Sequence, residues 1–147
     1  MQIQNVRIVS NNISFGLESL PEDEVEQHLT ISASGRGWFT AYKYANGYGK
    51  YKICRKQQLA IGKPVAKEIL SLFSQFIDSN QLNYDATDIG TWRMTITDVE
   101  GKSFHFRGSL CGGVTVGDVD LTYYLCKQIP VDGLFVFNNS VMESDRD

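Results

Sequence analysis

Apolar and polar positions alternate with period two along much of the chain, and the helical period replaces it at only two places. From Gln2 to Ser10, Ile3, Val6, Ile8 and Val9 alternate imperfectly and predict a strand. His28 to Ser34 alternates better, with Leu29, Ile31 and Ala33 on one side and Thr30, Ser32 and Ser34 on the other. Trp38–Tyr44 and Lys50–Gln57 predict two more strands. Ala45, Asn46, Gly47, Tyr48 and Gly49 between them have the chemistry of a hairpin connection. The acidic stretch Glu18, Glu22, Asp23, Glu24 and Glu26, broken by Pro21, reads as a solvated loop entering the second strand. The period then changes. Pro64 suits a first helical position, and Val65, Ile69, Leu72, Phe73, Phe76 and Ile77 form one stripe. Lys67, Ser71, Gln75 and Asp78 fall opposite, so a helix is predicted from about Pro64 to Asp78.

A second hairpin can be read to its register. Trp92, Met94 and Ile96 alternate with Arg93, Thr95 and Thr97, and Phe104 and Phe106 alternate with Ser103, His105 and Arg107. A two-residue turn at Glu100 and Gly101 would oppose Ile96 to His105 and mix the two sides. A three-residue turn, Val99 to Gly101, opposes Ile96 to Phe104 and Met94 to Phe106, and every apolar side chain then shares one side. Gly101 stands where such a turn needs a left-handed residue. A Gly-rich loop, Gly108 to Gly117, follows. Asp120 is placed to cap a short helix through about Gln128, with Leu121, Tyr124 and Leu125 inward, and Pro130 ends it. Leu134 to Phe137 is a short apolar run that predicts a last strand. The order predicts an α+β fold: one domain over residues 1–137, an antiparallel sheet with a long amphipathic helix packed on one side, and a second short helix. Residues 138–147 read as a flexible polar tail.

Composition narrows the picture. The 147 residues are 42% hydrophobic, enough for a core without metal or disulfide staples. No run approaches the length of a membrane span. Met1 to Ser10 lacks the apolar core of a secretion signal. Three cysteines without a CxxC pair suggest reduced thiols, hence a cytoplasmic protein.

Several segments of the second half, Trp92–Thr97, Gly101–Leu110, Val119–Leu121 and Asp132–Phe137, resemble a group of small uncharacterised proteins of Gram-positive bacteria. The aromatic-rich strands and helix of the first half are similar in layout. The shared motifs are structural: an inward Trp, a Gly-turn hairpin and an aromatic last strand. The resemblance implies no activity and carries no catalytic residue. Where the group has an Asp after the last Phe, this chain has Asn138.

Charge is distributed unevenly. Eight basic residues lie between Arg36 and Lys67, with no acidic residue among them: Arg36, Lys43, Lys50, Lys52, Arg55, Lys56, Lys63 and Lys67. The other 115 residues hold six basic and 17 acidic residues, a balance of −11, and the whole chain carries −3. Trp38, Phe39, Tyr42, Tyr44, Tyr48 and Tyr51 interleave the basic segment. Cations beside planar rings are what phosphate neutralisation and base stacking require. Strand parity would put Lys50, Lys52 and Lys56 on one side. The same ribbon could instead be solvated, or neutralised by the Glu18–Glu26 segment.

The hairpin register sets Arg93 opposite Arg107 and Thr95 opposite His105. Like charges so placed need an offset. It could be a bound phosphate or carboxylate, or a carboxylate of this chain such as Asp85, Asp88 or one from the acidic loop. Other chemistry is poorly supported. A Cys111–His105 dyad lacks any cysteine-enzyme signature, and Gly112–Gly117 lacks the Lys-Ser/Thr of a phosphate loop. His28, His105, Cys54, Cys111 and Cys126 are not clustered as metal ligands.

The expected function is therefore that of a non-catalytic interaction protein with no cofactor. It would bind an anionic protein or nucleoprotein, with RNA or DNA contact, through Arg36, Lys43, Tyr48, Lys50, Lys52, Arg55, Lys56 and Lys63. By analogy it would act as an inhibitor or accessory protein of the anti-CRISPR or other anti-defence kind. The alternative is a small-molecule or nucleotide module that holds its anion with Arg93, His105 and Arg107.

Overall fold

The computed structural model describes residues 2–13, 19–47, 49–79, 90–110 and 114–137. It is an α+β fold. Six antiparallel strands form one sheet: β1 (Ile3–Asn11), β2 (Glu24–Ser32), β3 (Arg36–Lys43), β4 (Lys52–Ala60), β5 (Thr91–Asp98) and β6 (Ser103–Ser109). Their order is β4-β3-β2-β1-β5-β6, so the N-terminal strand sits between the two hairpin systems. Helix α1 (Lys63–Asp78) follows β4. A two-stranded ribbon, β7 (Thr115–Val116) and β8 (Val119–Asp120), leads into α2 (Leu121–Gln128).

Alternation decides which side of the sheet is buried. Val6, Ile8, Leu29, Ile31, Phe39, Ala41, Trp92, Met94 and Ile96 all point to the same side and are buried. Helix α1 lies against it, burying Ala66, Ile69, Leu70, Phe73 and Phe76. At 16 residues it is moderate rather than long. Leu72, expected inside, is only partly buried, and Leu70 takes a buried place in the stripe. The second hairpin has the expected register, with Met94 opposite Phe106 and Ile96 opposite Phe104. Asp98 fixes its turn by accepting from the backbone N–H groups of Glu100 and Lys102, both at 2.9 Å. Gly101 turns the chain at φ 89°. Across the ladder the Trp92 indole lies over Gly108, where a Cβ would come within 2.6 Å of the ring. Asp120 caps α2, accepting from the Tyr123 N–H at 3.0 Å.

Two sequence expectations are corrected. The acidic stretch is not loop throughout, because β2 begins at Glu24. The pairing with β3 slips between Glu24 and Glu26, so Glu24 falls on the inward side with Val25 and the buried Gln27, and the period is hidden. The apolar run Leu134–Phe137 is not a strand. It is an irregular buried segment, with Val136 at φ 52°.

A buried irregular segment must find partners for its backbone groups. Inward polar side chains supply them here. The Gln27 amide donates to the Gly133 carbonyl at 2.6 Å and accepts from the Phe135 N–H at 2.7 Å. Ser10 donates to the Val136 carbonyl at 2.6 Å. Thr122 accepts from the Phe137 N–H at 3.2 Å. So held, Phe137 stands edge-on to Trp92, ring centroids 4.8 Å apart, and 6.4 Å from Phe73. The inner side of the sheet is thus closed by α1, α2 and residues 131–137. The described residues contain no helix long and apolar enough to cross a membrane.

Two substitutions test this packing. Phe73→Ala, in a position with no exposure, should cost about 3–5 kcal/mol in a denaturant melt. Gln27→Leu keeps the side-chain bulk but strands a buried N–H and a half-buried carbonyl, and should cost about 2–4 kcal/mol. A melt unchanged by either would contradict the corresponding contact.

Candidate functional site

The same alternation turns the intervening residues of all six strands outward. No described helix packs there, and the pairing aligns those side chains in rows across the sheet. One row runs Lys56, Thr40, His28, Val9, Arg93, Arg107. The next runs Gln58, Trp38, Thr30, Arg7, Thr95, His105. Arg36 lies beside Trp38 in a third row. Both histidines of the chain are therefore on this side, with Arg7, Arg36, Lys56, Arg93 and Arg107. Among the described strand residues its one carboxylate is Glu26. Trp38 is 41% exposed there.

Arg93 stands directly opposite Arg107, and Arg7 is the diagonal neighbour of Arg93 on β1. Opposed Cβ atoms are ~5 Å apart and diagonal ones ~7–8 Å. Like charges directly opposite one another across a ladder are unfavourable unless something offsets them. A shallow depression of about 350 Å³ opens between Arg93, Thr95, His105 and Arg107. His105 shares a 3.2 Å hydrogen bond with Thr95.

At the centre of the sheet the charges are organised. The Arg7 guanidinium, which can only donate, lies 3.0 Å from His28 Nδ1, so that nitrogen accepts. The His28 proton is then on Nε2 and is donated to Glu26 at 2.8 Å. Asn11 donates to the second Glu26 oxygen at 3.1 Å. The His28 hydrogen bond, helped by that of Asn11 and by the charge of Arg93, holds the Glu26 carboxyl below its ordinary value against the opposing effect of burial. Tyr42 packs on the His28 ring with centroids 4.8 Å apart.

The structure scatters the basic segment read from the sequence. Arg36 and Lys56 reach the open side and are exposed. Arg55 turns inward and is engaged: its guanidinium grips Glu24 at 2.6 and 2.9 Å, donates to the Asp132 carbonyl at 2.7 Å and covers the Phe39 ring at 5.0 Å. Part of the ribbon is thus neutralised by the acidic segment. Strand parity does not carry Lys50, Lys52 and Lys56 to one side. Lys50 precedes β4, and the pairing slips at Cys54, where Ala41 faces Arg55 but Tyr42 faces Ile53. An extra residue in one strand reverses the alternation, so Lys52, paired with Lys43, and Lys56 point to opposite sides. Lys63 begins α1, on the closed side. Tyr48, Cys111, Asp85, Asp88 and residues 138–147 lie outside the described residues. The second set, Arg93, His105 and Arg107, is brought together as the register implied. Arg7 and His28 were not among the sequence candidates for this surface. A lone arginine in β1 leaves no charge pattern, and only the pairing of β1 with β5 brings it beside Arg93.

The lowered carboxyl has a direct consequence. A group depressed in the folded state stabilises the fold above its ordinary range, and that stability is lost as pH falls through the folded-state value. From about pH 6 to about pH 3 the melting temperature should fall less steeply in Glu26→Gln than in the parent. Equal slopes would contradict the network.

No protein-family model matches the chain, and no curated protein matches it.

Proposed function

We propose that the protein is a non-catalytic interaction protein that docks an anionic partner on the open side of its sheet. Two candidate surfaces from the sequence merge in this reading. Arg36, Trp38 and Lys56 come from the basic hairpin, and Arg93, His105 and Arg107 from the second one, with Arg7 between them. One observation supports it: five permanent cations and both histidines share a surface that carries one carboxylate among the described strand residues, in a chain whose net charge is −3. A surface that collects cations out of an acidic chain raises the local concentration of anions and repels other acidic surfaces of the same protein. Spread cations of this kind suit an extended partner. An accessory or inhibitory protein, of the anti-defence kind or another, would act through such a surface by occupying its partner.

Heparin, a general polyanion, tests the surface without presuming the partner. The double variant Lys56→Glu, Arg93→Glu should lose at least tenfold in heparin affinity. Lys50→Glu, Lys52→Glu, equal in charge but outside these rows, should lose less than threefold. Both pairs are exposed and should leave the melting temperature nearly unchanged. The opposite ranking would move the site to the tip of the β3–β4 hairpin.

A further inference from the structure

Resting on that reading, we infer that the anionic partner is single-stranded RNA, with Trp38 as the platform on which a base stacks. Charge alone would suit an acidic protein equally well. Trp38 is what separates the two. It is outward on β3, 41% exposed, and flanked in its own row by Gln58 and Thr30. Lys56 stands diagonal to it on β4 and Arg36 two residues before it on the same strand. A planar ring bracketed by cations is the arrangement that binds a base and its adjoining phosphates, and it tolerates any base because each has a π-face. Acidic side chains offer no ring to stack.

The sheet also supplies a path. From Trp38 the row passes through Thr30 and Arg7 to Thr95, three strands away or ~14 Å, beside Arg93 of the neighbouring row. That distance suits an extended strand of a few nucleotides. A duplex, whose bases are stacked inside, could use the cations but not Trp38. The groups between the cations are largely hydroxyls, Thr30 and Thr95 in this row and Ser32 and Thr97 in the next. Each can donate and accept, as the ribose 2′-hydroxyl does, and that hydroxyl is how a protein surface tells RNA from DNA.

The test uses the full chain and a fluorescein-labelled oligouridine of about 12 nucleotides, within the ~4–16 that one small surface covers. The oligomer should bind with an affinity that falls as salt rises, with a log–log slope of about −2 to −3.5 if three to five phosphates are neutralised. Trp38→Ala should weaken it about fivefold or more, the scale of one lost stack, and Trp38→Phe should restore most of the loss. Heparin binding should be indifferent to Trp38→Ala. Oligothymidine of the same length and polyglutamate should both bind more weakly than oligouridine. Trp38→Ala binding oligouridine as the parent does, or either comparison probe binding as tightly, would overturn the inference. Heparin separates the two levels. If it still binds through Lys56 and Arg93, only the RNA assignment falls; if it does not bind, the anionic surface falls as well.

Discussion

The Gln27 amide decides how this sheet is used. It sits on the inward side of β2, where an aliphatic residue would be expected, and it is almost completely buried. Its cost there is offset because all three of its hydrogen bonds are made, to Glu24, to the Gly133 carbonyl and from the Phe135 N–H. Those bonds, with those of Ser10 and Thr122, let an irregular apolar segment lie in the core without orphaned backbone groups. Phe137 can then fill the space between Trp92 and Phe73. The inner side is closed by this segment and the two helices, and the outer side carries the polar rows.

Outward positions of an antiparallel sheet are lightly constrained by folding, and threonine is enough to satisfy them. Much of the outer side is of this kind. The arginines are different, since Arg93 faces Arg107 with Arg7 on the diagonal, and like charges so placed need an offset. Glu26 offsets part of that charge through His28 and at longer range through Arg93. Arg55 shows the contrasting case, a cation that the fold itself employs in a bidentate pair with Glu24 and a carbonyl contact. Basic residues counted together in the sequence therefore divide into structural and outward groups. The slip at Cys54 is what divides β4.

How much of this could be read from the sequence depended on range. Ile96 against Phe104 followed from local alternation and a glycine turn, because the partner strands are a few residues apart. The stripe from Val65 to Ile77 gave α1 for the same reason. Gln27 and Ser10 hid what they do, since a polar residue at an inward position looks like a break in the pattern. Leu134–Phe137 looked like a strand because four apolar residues carry no sign of whether a ladder or side chains will hold their backbone. The outer surface was legible by halves. Each hairpin displayed its own cations, but the strand that joins them, β1 with Arg7, pairs with β2 on one side and β5 on the other over long sequence separations. No local signal specifies such pairing.

The central claim is that the outer side of the sheet is the working surface and the closed side is not. Isotope-edited NMR of the labelled chain, titrated with oligouridine, tests it most directly. Shifts should concentrate at the Trp38 indole N–H, the side chains of Arg7 and Arg93 and the amides of Thr30 and Thr95, while Phe73, Leu125 and Phe137 stay still. Shifts confined to Lys43, Lys50 and Lys52, or to the exposed surface of α1 around Lys63 and Lys67, would contradict it.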